Sequence, residues 1–260
     1  MRPGHADYTG RILYKSFGDY RGGGHFSGRL TAPVVFVGAI AYQYLKSKGI
    51  TIGTHILKIG DALDTEMDPV KINAERLNKL REMRFPVIDE GASEKMKKVI
   101  DDVKKENDSV GGLLETAIIN LPAGLGAPMF QSVESKIASF VFSIPAVKGI
   151  EFGTGFKLPE MKGSEANDSF YIENNQVKTR TNHSGGINGG ITNGMPVLFR
   201  TAIRPTSSIG KLQHTIDAAK MTETEFTVHG RHDPCIAVRA VPVMDAAAAL
   251  VVMDLYMKKQ

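Results

Sequence analysis

The stretch PVVFVGAIAYQYLKSKG, residues 33–49, runs directly into ITIGTHILKI, residues 50–59, and the change of pattern between them decides the fold class. In the first stretch, apolar residues recur at spacings of three and four, which predicts a helix over roughly 33–48 that ends at Gly49. In the second, apolar residues alternate and His55 faces the other way, which predicts a strand. A helix followed at once by an alternating strand indicates a mixed α and β protein.

Both patterns recur along the chain in no fixed order. Further helices are predicted over 71–84, from Ser93 onward, around 130–141, and over Ala246–Met257 with Asp245 as its cap. Further strands are predicted over Gly111–Leu121, Gly149–Phe156, Val197–Ile203, Glu225–Val228 and Ile236–Ala240. Because helices and strands do not alternate strictly, the sequence favours an α+β fold over a doubly wound one. With no repeat and no Pro/Ser linker, we expect a single domain, residues 1–260.

Composition excludes a disordered chain. Hydrophobic residues make up 42% of the 260 residues and charged residues 23%, which suits a folded soluble protein. The net charge of +4 is too small to indicate nucleic acid as a partner. Two interpretations of the basic residues stay open: a solvated surface, or arginines gathered around an anionic ligand.

Cysteine content and hydropathy indicate the compartment. The chain has one cysteine, Cys235, so it forms no intrachain disulfide, which favours a reducing environment. Cys235 is interpreted as a small buried residue. The apolar run Ala32–Ala41 falls short of the roughly 18 residues of a membrane span, and the polar start Met1–His5 is unlike a signal peptide. We expect a cytoplasmic protein with no membrane partner.

Three segments combine glycine with basic or hydroxyl residues. Arg2–Asp7 and Arg21–Arg29 place arginines beside glycines, which suits an anionic ligand, although a flexible solvated loop explains them equally well. Asn182–Gly194 leads through a strand to Arg204–Ser208, where hydroxyls beside an arginine suit phosphate oxygens. A polar turn is an equal alternative there, and the Rossmann fingerprint is absent.

The third segment, Arg231–Cys235, contains a carboxylate between an arginine and a proline. An acid/base site fits this pattern, and a structural salt bridge or turn fits it better when the segment is taken alone. No spacing typical of metal ligands involves the histidines, so no metal site is predicted. The histidines considered are His55, His183, His214, His229 and His232.

Taken in order, these segments resemble the chorismate synthase family. The matching motifs are Arg2–Asp7, Arg21–Arg29, Pro122–Gly126, Ser143–Gly149, Asn182–Gly186, Arg204–Ser208, Arg231–Cys235, Val241–Val243 and the 245–257 helix. The resemblance implies a β-α-β sandwich with helices between antiparallel sheets and a homotetrameric assembly. Family members carry a phenylalanine-glycine-glutamate-serine-histidine-glycine motif upstream of the first motif. We therefore expect this chain to be an N-terminally truncated form that corresponds to the C-terminal part.

The resemblance implies a carbon–oxygen lyase of the shikimate pathway to aromatic amino acids. Such an enzyme eliminates phosphate from 5-enolpyruvylshikimate 3-phosphate (EPSP) in a 1,4-anti sense to give chorismate. Reduced FMN is the cofactor, and NADPH enters only as a reductant of the flavin. An inactive, truncated, FMN-binding remnant is the alternative. A nucleic-acid-binding module is poorly supported because aromatic and basic residues are not interleaved.

Residue roles also follow from the resemblance. His5 is implied as the proton donor to reduced flavin, and Asp233 as the group that assists removal of the ring proton. The substrate-binding residues implied are Arg2, Arg29 and Arg231. The flavin-contacting residues implied are His25, Phe26, Ser27, Pro145, Ala146, Gly189, Arg204, Pro205, Thr206, Ser207, Ser208 and Arg231. Many members have R-S-S-A-R where this chain has His25–Arg29, and lysine where it has Arg204.

Overall fold

The computed structural model describes residues 1–15, 17–18, 22–230 and 232–259. The helices are α1 (Asp7–Leu13), α2 (Thr31–Ser47), α3 (Ala74–Glu82), α4 (Glu90–Lys105), α5 (Val133–Phe142), α6 (Gly163–Ala166) and α7 (Ala237–Lys259). The strands are β1 (Thr51–Ile59), β2 (Ala62–Leu63), β3 (Gly112–Ile119), β4 (Val147–Phe152), β5 (Phe170–Glu173), β6 (Gln176–Thr179), β7 (Ile187–Asn188), β8 (Ile191–Thr192), β9 (Val197–Ile203), β10 (Gln213–Asp217) and β11 (Thr222–Phe226). Short 3-10 turns lie at Gly24–Phe26, Gly28–Leu30, Met129–Gln131 and Gly155–Glu160.

The largest sheet has five strands in the order β2-β1-β3-β9-β4, and every neighbouring pair is antiparallel. Its central strands are buried on both faces. A layer of several helices covers one face, and α3 with its flanking loops covers the other. Gly53 lies in β1 beneath α3, and a Cβ atom there would come within 2.9 Å of the Leu77 Cβ. A glycine at this point of the strand therefore lets α3 approach the sheet closely.

Helices α2, α5 and α7 form the layer on the other face, with α7 packed against α2, β1 and β3. Gly38 of α2 faces Ala246 of α7 so closely that a Cβ atom on Gly38 would come within 2.4 Å of the Ala246 Cβ. Residues 237–258 of α7 form a helix that is long and apolar enough to cross a membrane. However, 67% of its most apolar stretch is buried inside the fold. We therefore interpret α7 as a core helix.

The structure confirms the α+β class, the antiparallel sheets and most predicted elements. Two predictions are wrong: Ile236–Ala240 is no strand, because α7 begins at Ala237, and the last helix therefore does not begin after a cap at Asp245. The buried residues Ala237, Val241 and Met244 of α7 recur at helical spacing, and the helix continues through Pro242. Asp245 consequently lies inside the helix and caps nothing. Its carboxylate pairs with Arg81 at 3.0 Å, and burial raises the pKa of Asp245 to about 6 despite that arginine and a Thr54 hydrogen bond.

A row of buried charged residues crosses the sheet at one level. His55 contacts Asp64 through Nδ1 and Glu115 through Nε2, both at 3.0 Å, and all three side chains are buried. Further along the row, Arg200 pairs with Glu151 at 2.8 Å. Burial by itself would lower the pKa of His55, but hydrogen bonds that its ring donates to the two carboxylates, together with their negative charge, hold that pKa above its usual value. Both ring nitrogens are thus engaged in joining β1 to its neighbours, which is a structural role.

Candidate functional site

The candidate site lies at the end of the sheet where β3 begins, β9 ends and β4 begins. Gly112, Ile203 and Val147 occupy one level there, because Ile203 pairs with both of the others. The backbone N–H of Arg204 donates to the carbonyl of Ala146 at 2.9 Å, and Ala146 has a positive φ of 74°. The structure therefore brings the predicted flavin-contacting segments Pro145–Ala146 and Arg204–Ser208 together.

The loop between α4 and β3 holds two of the predicted segments in place. The Ser109 hydroxyl donates to the carbonyl of Thr206 at 2.7 Å, and the Val110 N–H donates to the carbonyl of Pro234 at 2.8 Å. A Cβ atom on Gly111 would come within 2.5 Å of the Ile203 carbonyl oxygen. Sequence reasoning missed this loop, although paired glycines at Gly111–Gly112 directly before a strand were a usable signal.

The N-terminal segment carries a compact cluster of charge. Arg2 donates to the Asp7 carboxylate from Nε at 2.9 Å and from Nη2 at 2.7 Å, and its backbone N–H adds a bond of 2.9 Å. The His5 ring nitrogen Nδ1 lies 2.5 Å from Asp7 Oδ1. Burial would raise the pKa of Asp7, but the bonds from Arg2 and the charge of His5 hold that pKa well below its ordinary value. Asp7 was not predicted as a site residue, yet it orients both residues that were.

This cluster is fastened to the sheet end. Arg204 Nη1 donates to the Gly4 carbonyl at 2.5 Å, and Arg2 Nη1 lies 3.5 Å from the Ser208 hydroxyl. Gly4 has a φ of +67°, a backbone conformation that favours glycine, and a Cβ atom there would displace the Arg204 guanidinium, whose Nη2 lies within 2.5 Å of it. The Met1 ammonium donates to the carbonyl of Ile216 on β10 at 3.1 Å. His5 and Arg2 therefore lie beside Arg204–Ser208.

Residues 22–30 lie against the same cluster. The Gly22 carbonyl accepts from Arg2 Nη2 at 2.9 Å, and the Phe26 ring packs on Gly10 of α1. The Ser27 hydroxyl accepts a hydrogen bond from the Arg29 backbone N–H at 3.2 Å. Arg29 itself is exposed. The part of this segment that is described is thus a folded turn and not a freely solvated loop.

The segment after β11 brings Asp233 to the same sheet end through its Pro234 contact. Asp233 Oδ1 accepts from the Cys235 backbone N–H at 3.2 Å, and Oδ2 forms an ion pair with Arg239 Nε at 2.5 Å. The salt bridge and turn anticipated as an alternative are therefore present. Cys235 is buried as predicted, and burial raises the pKa of its thiol. Arg231, predicted to bind both flavin and substrate, lies outside the described residues.

The glycine-rich segment Asn182–Gly194 lies elsewhere. It leads into β9 at Val197, whereas Arg204 follows the other end of that strand, on the order of 20 Å away at the usual rise per residue. Asn182 is buried and its side chain bonds to the carbonyls of Pro69 and Pro196, a structural role. Gly189 is therefore not brought together with the other predicted flavin contacts within one chain.

Several polar atoms at the site end are buried without a hydrogen-bond partner among the described residues. They include Thr206 Oγ1, Gln213 Nε2 and His232 Nε2. A buried polar group without a partner costs about 1–3 kcal/mol, so such groups in a folded protein require an explanation. Gln213 and His232 were not among the predicted site residues.

Comparison with known proteins covers nearly the whole chain. A family model for chorismate synthase matches residues 1–257. The chorismate synthase of Thermococcus gammatolerans is 45% identical over 259 residues, which are 100% of this chain and 71% of the relative. That of Pyrococcus abyssi is 46% identical over 253 residues, which are 97% and 69% of the two chains.

A crystal structure of chorismate synthase matches with a TM-score of 0.76 at 28% identity, and covers 98% of this chain and 70% of that one. The chain thus spans about 70% of the length of the proteins it matches. These matches favour the lyase over the inactive remnant.

Proposed function

Because the chain belongs to the chorismate synthase family, a family of lyases, we propose that it converts EPSP to chorismate. In this reaction the ring loses a proton at one carbon, the phosphate leaves from another with its bonding electrons, and a new double bond system forms between them. Inorganic phosphate is the second product. The net reaction involves no oxidation or reduction.

One observation carries the proposal: cationic and donor groups from two separate segments meet at one end of the sheet. Arg2 and His5 from the N-terminal segment lie beside Arg204, Thr206 and Ser208 after β9. EPSP carries two carboxylates and a phosphate, so it needs such a concentration of donors. Arg29 and Arg231 complete the proposed set of substrate-binding residues, and the exposure of Arg29 leaves its guanidinium accessible.

Reduced FMN is the proposed cofactor; when bound, it would supply electron density as the phosphate departs. The residues proposed to hold it are His25, Phe26, Ser27, Pro145, Ala146, Arg204, Pro205, Thr206, Ser207, Ser208 and Arg231. The fit is supported by Thr206, whose buried hydroxyl lacks a partner in the part of the chain that is described and so suits a phosphate oxygen. NADPH is proposed only as a reductant of the flavin.

Gly189 fits the proposal through assembly. Since it lies beyond the opposite end of β9, it reaches the flavin of a site only from a second subunit. That placement supports the proposed homotetramer. The proposal also comprises a single domain over 1–260 and a cytoplasmic location.

His5 is the proposed proton donor toward the cofactor. Its Nδ1 is held against Asp7, so Nε2 is the nitrogen left to face a ligand and to carry the mobile proton. Asp233 is the proposed base for the ring proton, and its Oδ2 must part from Arg239 to act. Both residues thus have a neighbour that fixes their orientation before substrate binds.

Turnover tests the proposal. The protein is mixed without oxygen with EPSP and chemically reduced FMN, and chorismate and phosphate are measured together. We expect both in equal amounts, with no product when FMN is left out. Flavin binding without any turnover would favour the inactive remnant instead.

A further inference from the structure

Asp233, the proposed base, is held by two partners that differ in kind. Its Oδ1 accepts a hydrogen bond from the Cys235 backbone N–H at 3.2 Å, and Cys235 is buried. Its Oδ2 lies 2.5 Å from Arg239 Nε in an ion pair, yet this buried oxygen has no aligned hydrogen bond within the described residues. The backbone therefore fixes one oxygen, whereas charge holds the other and leaves its lone pairs free for a proton.

Arg239 extends from a part of α7 that is fixed against the site end of the sheet. Ala237, in the same turn, is fully buried, and a Cβ atom on Gly112 would come within 2.8 Å of the Ala237 Cβ. Gly112 begins β3 opposite Ile203, at the level of the candidate site. The Arg239 side chain is 80% exposed, and exposed side chains change rotamer within nanoseconds. The helix turn is thus fixed while the guanidinium is free to change partner.

The Arg239 guanidinium has room for a second partner. Only its Nε contacts Asp233, and its two Nη nitrogens have no ion-pair partner among the residues that the structure describes. A guanidinium forms its strongest pairs with a carboxylate through two parallel N–H groups. The contact with Asp233 is not of that kind, so a carboxylate that meets two nitrogens of Arg239 at once competes with Asp233 for it.

An anti elimination determines which anionic group of the substrate is near. The proton and the phosphate leave from opposite faces of the ring, so a residue that touches the base lies away from the phosphate. The ring carboxylate is attached to the carbon next to the one that loses the proton. Because a base acts within about 2.6–3.2 Å of its target, Arg239 lies within reach of the ring carboxylate when Asp233 is in place.

We propose that Arg239 holds Asp233 in the free protein and exchanges it for the ring carboxylate of the substrate when the substrate binds. The exchange frees Asp233 Oδ2, which takes the ring proton while the electrons of the broken C–H bond stay in the ring. Substrate binding and release of the base are thereby one event. The inference rests on the proposed function, because it takes Asp233 as the base and EPSP as the substrate.

Binding measurements distinguish exchange from a permanent salt bridge. If EPSP competes with Asp233 for Arg239, Asp233→Asn should bind EPSP about tenfold more tightly than the unaltered protein, and Arg239→Met about tenfold more weakly. In the double variant, Asp233→Asn should bring no gain, because the arginine that it releases is absent. Calorimetry with oxidised FMN present measures these affinities. Arg76→Met, which alters another exposed arginine, is the control and should leave the affinity for EPSP unchanged.

Two further arms sharpen the test. Arg239→Lys should reduce the gain brought by Asp233→Asn without abolishing it, because a lysine cannot form the forked pair. Shikimate 3-phosphate keeps the ring carboxylate and lacks the enolpyruvyl carboxylate, so Asp233→Asn should bind it more tightly as well. A gain seen with EPSP alone would mean that Arg239 does not pair with the ring carboxylate.

Two results overturn the exchange while leaving the proposed function intact. One is an equal affinity for EPSP in Asp233→Asn and in the unaltered protein. The other is a gain that persists in the double variant, since it would then come from the lost carboxylate and not from Arg239. Failure of the unaltered protein to bind EPSP or to form chorismate would instead contradict the proposed function itself.

Discussion

Replacing Asp7 by asparagine should loosen the N-terminal segment without unfolding the sheet. Asp7 accepts three hydrogen bonds from Arg2 and one contact from His5, and its side chain is 24% exposed. Asparagine keeps the shape and one acceptor oxygen but loses the charge. Since a hydrogen bond to a charged group contributes about 1.5–3 kcal/mol, and partial exposure reduces that, we expect a total loss of about 2–3 kcal/mol.

The loss should be local, because residues 1–7 contribute no strand to the sheet. Amide hydrogen exchange measures it directly. The Arg2 and His5 amides, which donate to Asp7 Oδ2 and to the Arg2 carbonyl, should exchange about 30- to 150-fold faster in Asp7→Asn. Amides of β1 should be unaffected.

The sign of the pH dependence follows from the lowered pKa of Asp7. The ionised Asp7 carboxylate contributes fully to stability above the pKa of an unfolded aspartate, near 3.8. This contribution is lost as the pH falls through the lower pKa that Asp7 has in the folded protein. The difference in amide exchange rate between Asp7→Asn and the unaltered protein should therefore have its full size at neutral pH. Asp61→Asn, an exposed change in the turn after β1, is the control. A threefold or smaller acceleration in Asp7→Asn would show that Arg2 and His5 are held by other contacts.

Other residues give predictions of the same kind. His5→Ala and Asp233→Ala should each lower kcat by about 10²–10⁴ and keep oxidised-FMN affinity, and a rate loss that merely tracks lost stability would argue against catalysis. Arg29→Lys should reduce kcat/KM by an equivalent of about 2–4 kcal/mol, because a lysine cannot form a forked pair; near-normal kinetics would place Arg29 outside the site. Asp245 is protonated more readily in the folded state, so its contribution to stability falls as pH rises from about 4 to about 6. Urea unfolding should show that the free energy of unfolding of Asp245→Asn rises by about 3 kcal/mol relative to that of the unaltered protein over that pH range. If the difference between the two proteins does not change with pH, the raised pKa is contradicted.

Local pattern predicted the elements that have a clear periodicity or whose ends carry a clear signal. The helix over 33–48 was found because Gly49 ends it, and the strand from Ile50 because its apolar residues alternate. Pattern failed at Ile236–Ala240, where a short apolar run with a following proline looks the same in a strand and in a buried helix. Only packing against α2 and the sheet decides that case, and packing is not local in sequence.

The resemblance predicted a set of site residues but not their arrangement. Resemblance supplied Arg204–Ser208 and Arg2, and the structure places them in contact. It did not reveal that β9 separates Gly189 from Arg204, since that depends on which strand ends share an edge. Nor did it identify Ser109, whose role is to hold the Thr206 backbone and not to carry recognisable chemistry.

Asp7 also decides which part of Arg2 is available to an anionic ligand. Two nitrogens of the guanidinium, Nε and Nη2, are taken by the Asp7 carboxylate, and Nη2 is shared with the Gly22 carbonyl. Among the residues that the structure describes, the remaining nitrogen, Nη1, makes only a long contact of 3.5 Å with the Ser208 hydroxyl. If Arg2 binds an anionic ligand, as we propose, the ligand reaches its guanidinium from the Ser208 side, which is the side of Thr206 and Arg204. The carboxylate that neutralises Arg2 thus also sets the direction in which its free edge faces.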